Sequence, residues 1–133
     1  MRPKFALLTL LAVLCLGADY SDTFTTGKDW EERMTLKQKI IAIVAQSVLF
    51  HKYNVPMRKT LVDYVPEIDR VLLENPYLEK EDVANIFAST LYAYEPRSRP
   101  ALDWMLMEFA RRKVLYEDRY VPKLILIKRP SDD

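Results

Sequence analysis

Glycine is almost missing from this chain: 133 residues contain 2 Gly against 8 Pro. Small β-sandwiches and barrels turn tightly and often, and many of those turns need a positive φ that glycine adopts without steric cost. This sequence has too few such positions. Helices joined by proline-marked loops need none. Half of the residues are apolar and 29% are charged, a balance that supports a packed core and argues against disorder. The expected fold is therefore all-α, a small bundle of about five helices with an extended C-terminal tail.

Arg2 and Lys4 precede an apolar run from Phe5 to Leu16, and Cys15 and Gly17 place small residues at the two positions a signal peptidase reads. Residues 1–17 read as a cleaved signal peptide, with Ala18 an equally suitable end. The run is shorter than the roughly twenty residues that cross a bilayer as a helix, and no longer one follows. No transmembrane segment is expected, and the protein is expected to be secreted and extracellular. Cleavage removes the single cysteine, so the mature chain enters an oxidising compartment without a thiol and cannot be a disulfide scaffold. It also removes two of the cations behind the formal charge of +1. Neither nucleic acid nor an anionic membrane surface is an expected partner.

The rest divides into a flexible N-terminal lead (18–29), a helical domain (30–119) and the extended tail (120–133). Thr35 and Gln38 have capping-box spacing, and Leu36, Ile40, Ile43, Val44 and Val48 follow as one apolar stripe of a helix that should stop near Asn54, ahead of Pro56. Leu61, Val65, Ile68 and Leu72 continue an apolar face across Pro66, which predicts two short helices or one kinked there. A third stripe, Val83, Ile86, Phe87, Leu91 and Tyr94, follows the acidic Glu79, Glu81 and Asp82 and should end at Pro96. Ser98 and Pro100 resemble a cap and a first-turn proline. They open a segment that is apolar nearly all round to Ala110, which places it at the centre of the domain, with Trp104, Met105, Leu106, Met107 and Phe109 touching several neighbours.

Chemistry is poorly provided for. Ser47 and His51 are four apart and share a helix side, but no carboxylate to orient the imidazole and no oxyanion site accompany them. The acidic clusters at Glu31-Glu32, Glu79 to Asp82, Glu117-Asp118 and Asp132-Asp133 match neither a calcium loop nor a glycosidase pair and read as solvated faces. Arg111-Arg112-Lys113, with Tyr116 and Tyr120, reads as a solvated helix end, or with Lys128-Arg129 as a processing site of a precursor. No metal site and no cofactor are expected.

Two functions follow. The first is a non-enzymatic interaction or structural protein that binds another protein, a copy of itself included. Its candidate contacts are exposed aromatics and the aliphatic run Leu124, Ile125, Leu126 and Ile127, which either packs across the bundle or pairs with another chain as an added strand. The second is a carrier that holds a hydrophobic small ligand in an inter-helix cavity around Trp104 and Met107, with Tyr64, Tyr92 or Tyr94 supplying a hydroxyl.

Overall fold

The computed structural model describes residues 25–116, with side chains to 112, and residues 123–128. The expected signal peptide, most of the lead and both ends of the tail lie outside these residues. The described chain is all-α: α1 (Gly27–Glu32), α2 (Leu36–Lys52), α3 (Tyr64–Glu74), α4 (Val83–Tyr94) and α5 (Arg99–Tyr116), with short 3-10 helices at Pro76–Lys80 and Pro96–Ser98. Among the described residues no helix is long and apolar enough to cross a membrane.

Helix α1 takes in Gly27 to Asp29, which the sequence reading had placed in the lead. Thr26 and Asp29 form a capping box, each side chain accepting the other's backbone N–H at 3.2 Å. The Gly27 N–H donates to Glu81 O at 2.9 Å and the Val83 N–H to Thr25 O at 2.8 Å, so the start of α1 is tied to the start of α4. Trp30 is fully buried; its indole N–H donates to Asp69 of α3 at 2.6 Å, and Lys39 lies over its ring.

Helix α2 opens on the expected Thr35–Gln38 capping box. Its buried face is Ala42, Ile43, Ser47 and Phe50, while Leu36 and Val48 of the expected stripe are exposed. Seven residues bring Phe50 back almost over Ile43, whereas five turn Val48 about 140° away. The helix ends where expected: Asn54 adopts a left-handed φ of 58°, its N–H bonds His51 O at 3.0 Å, and the Val55 N–H bonds Phe50 O at 2.9 Å. That is a Schellman end, sealed by the buried Phe50 and Val55.

Pro66 neither breaks nor kinks α3. It is the third residue of that helix, where a backbone N–H has no partner inside the helix to lose. Ser98 also differs from its expected role. Its hydroxyl donates backward, to Leu91 O at 3.2 Å and Glu95 O at 2.7 Å, and so closes the end of α4 instead of capping α5.

The central helix is α4, not α5. Residues 85–91 are all buried, including Asn85, Ser89 and Thr90, and α4 carries no charged residue. Phe87 meets Phe50 of α2 at a centroid distance of 5.1 Å and Tyr64 of α3 at 5.0 Å. Among the described side chains of α5 only Leu102 and Met105 are fully buried; Trp104 and Met107 face outward. Asp103, Glu108 and Arg111 flank these two, and their charges cannot be buried without partners, so that side of the helix stays in water.

Candidate functional site

Trp104 is 56% exposed and Met107 is 65% exposed. Three residues apart on α5, they lie on one side of the helix, together with the exposed Pro100, Asp103, Ala110 and Arg111. Single exposed apolar residues are ordinary on any protein; a tryptophan beside a methionine on one helical face is a concentrated patch. Neither side chain lines the cleft found among the described residues, which lies beside Tyr94. Tyr92 borders the stripe, its hydroxyl 3.4 Å from the Asp103 carboxylate and its ring beneath Arg99, whose Nε donates to Tyr92 O at 2.7 Å. At the far end, Arg111 bonds Glu108 at 3.1 Å and Arg112 lies over Phe109.

Tyr94 goes elsewhere. With Pro56, Met57, Arg58, Glu95, Pro96 and Arg97 it lines an open cleft of ≈ 520 Å³ beside the C-terminal end of α4. Its hydroxyl is buried and makes no hydrogen bond among the described residues, while the Arg70 guanidinium lies 4.9 Å from its ring centre. Glu95, 7% exposed, forms part of the cleft wall. Its carboxylate accepts the Arg58 N–H at 2.8 Å and the Tyr64 hydroxyl at 2.7 Å. Burial, with the Glu95 carboxylate accepting the phenol's hydrogen bond, raises the Tyr64 pKa well above the ordinary tyrosine value. Both groups are thus committed to holding the 56–60 segment against α3 and α4.

The four tail residues separate. Ile127 is buried, Leu124 and Ile125 pack half-buried on the core, and Leu126 is 87% exposed. Side chains of the bundle hold the backbone: the Lys123 N–H donates to Asn85 at 3.1 Å, the Ile125 N–H to Ser89 at 2.8 Å, and the Lys128 N–H to Asn75 at 3.3 Å. The Tyr77 hydroxyl donates to Leu126 O. One turn of helix between Asn85 and Ser89 advances about 6 Å, close to the span of two residues of extended chain, so alternate tail amides meet successive acceptors. The described tail therefore packs across its own bundle, and of the quartet only Leu126 is presented outward. The sequence reading missed this ladder; its signal was two polar residues, Asn85 and Ser89, at i and i+4 in a helix otherwise free of charge.

Ser47 donates to Val44 O at 2.7 Å, within its own helix, and His51 is exposed. Glu31 and Glu79, from separate acidic clusters, approach each other; burial first and Glu79 second raise the Glu31 pKa. Among the described residues no group of three or more His, Cys, Asp or Glu is placed to hold a metal ion. No protein-family model, no curated protein and no solved structure matches the chain.

Proposed function

We propose that this is a secreted protein that acts by binding another protein chain through the outward stripe of α5, and that it is not an enzyme. The observation that carries this reading is the paired exposure of Trp104 and Met107 on one helical face. Tryptophan and methionine are enriched in the desolvated centres of protein interfaces, and tryptophan is among the residues whose truncation costs most binding energy. Asp103, Glu108 and Arg111 around them supply a polar rim. Secretion rests on the Phe5 to Leu16 run behind Arg2 and Lys4.

The test is photo-crosslinking from position 107 in the cells that make the protein, with a control at the more exposed Leu73 on α3. A discrete protein adduct from position 107 that is absent from position 73 is the expected result. Identical adducts from both positions, or none, would overturn the stripe as the binding surface.

A second reading is favoured by the cleft beside Tyr94, whose volume suits a small ligand and whose wall carries a buried hydroxyl with no hydrogen bond among the described residues. In this reading the ligand sits beside Tyr94, in a cleft that does not include Trp104 or Met107. Native mass spectrometry of gently purified protein would find an added mass of a few hundred daltons on the monomer, lost in the Met57→Trp variant; a bare mass from the producing tissue would remove this reading.

A further inference from the structure

We infer that the cleft beside Tyr94 takes a small amphipathic anion, a ligand with an apolar body and a carboxylate or phosphate head. This rests on the reading of that cleft as a ligand site and adds the chemistry of its occupant. Arg58 and Arg97 line the cleft from different segments, the loop that follows α2 and the 3-10 helix that follows α4. Neither guanidinium has an ion pair, hydrogen bond or ring contact among the described residues. Nearby cations are held by carboxylates: Lys59 by Glu67, and Arg70 by Glu67 and Glu74. Arginine stays charged and presents a fork of donors that matches a carboxylate or phosphate, so two of them on one cleft favour an anion there.

Tyr94 points to the same chemistry. Its hydroxyl is buried without a hydrogen bond among the described residues. The Arg70 guanidinium over its ring carries donors only and cannot receive the phenol proton. What satisfies that proton is an acceptor, and an anionic head brings one into the cleft that Tyr94 lines. Glu95, the carboxylate of the wall, already accepts a hydrogen bond on each oxygen, from the Arg58 N–H and the Tyr64 hydroxyl, and the lining arginines outnumber it. Pro56, Met57 and Pro96 give the rest of the wall an apolar surface for the ligand's body, with methionine adapting to its shape.

The test is isothermal titration at neutral pH with four probes that share a decyl chain and differ in the head: decanoate, decyl phosphate, decanol and decylammonium. The anions should bind one per chain and about tenfold or more tighter than decanol, with decylammonium weakest. The tighter of the two anions identifies the head. Arg58→Gln combined with Arg97→Gln should bring the anions to the level of decanol and leave decanol unchanged. Tyr94→Phe, which keeps the ring, should weaken the anions alone. Both arginines are exposed, so the variants should fold, and thermal melts verify it. Decanol or decylammonium binding as tightly as the anions, or anion binding unmoved by the double substitution, would overturn the anion assignment. Loss of every probe in Met57→Trp would then still leave the cleft as the ligand site. No binding of any probe up to about 1 mM, the weak end of specific association, would also overturn the assignment. In that case an added native mass that Met57→Trp abolishes would leave the cleft reading standing for a ligand of other chemistry, and a bare mass would remove both.

Discussion

At the scale of single residues, Gly27 is where a small substitution has a large consequence. A Cβ there would lie 2.7 Å from the Leu78 carbonyl oxygen and 2.7 Å from Leu72 Cδ2. Leu72 has room to adjust as a side chain, but the Leu78 oxygen belongs to the backbone of the 3-10 helix and moves only if that helix moves. Gly27→Ala should therefore destabilise the fold by about 1–3 kcal/mol, in the range of overpacked cores. Chemical denaturation would measure it, and a variant as stable as the wild type would show that α1 docks less closely than described. Glycine's positive φ is not the issue here; the close approach of α1 to the 3-10 helix is. Sequence inspection finds the residue and not the reason, because the contact depends on residues 45 to 51 positions further along the chain.

At the scale of elements, local signals were the dependable ones. The Thr35–Gln38 box started α2, Pro56 and Pro96 lay just past helix ends, and the α4 stripe was buried as its spacing indicates, with only Tyr94 half-covered. Each involves residues within one or two turns, whose mutual geometry the backbone dictates whatever else the chain does. Pro66 was misjudged because its effect depends on where the helix begins, and the turn at Leu61 to Asp63 sets that start. The tail is held differently, by side-chain acceptors on other elements. Replacing Ser89 with Ala removes the acceptor of the Ile125 N–H, and a hydrogen bond worth about 1 kcal/mol predicts a five- to tenfold faster amide exchange at Ile125. Exchange in α2 should stay as it was. An unchanged rate at Ile125 would mean that burial of Ile127, and not the ladder, anchors the segment.

At the scale of the whole molecule, an ion network links the 56–60 segment to α3 and responds to acid. Glu67 lies 2.8 Å from Lys59 Nζ and 2.7 Å from Arg70, which also reaches Glu74 at 2.9 Å. Burial alone would raise the Glu67 pKa, but Lys59 and Arg70 outweigh it and hold the carboxyl below its usual value of 4.5. A carboxylate with a depressed folded-state pKa adds stability above its unfolded pKa and loses it as pH falls through the folded value. Wild type should therefore exceed Glu67→Gln in stability at neutral pH, and urea melts should show the gap closing below about pH 4.5. A gap independent of pH would assign the effect to packing. On the same scale lies the largest revision, the exchange of centre and surface between α4 and α5. By itself the sequence determined the helical class, through scarce glycine and 3.6-residue periodicity, and most helix limits, through caps and prolines. Tertiary structure alone decided which helix is interior. An apolar helix is a candidate for the core in any bundle; α4 took that place because Asn85, Ser89 and Thr90 found partners in the tail and in its own backbone. The charges on α5 had to stay hydrated, and that left Trp104 and Met107 facing outward.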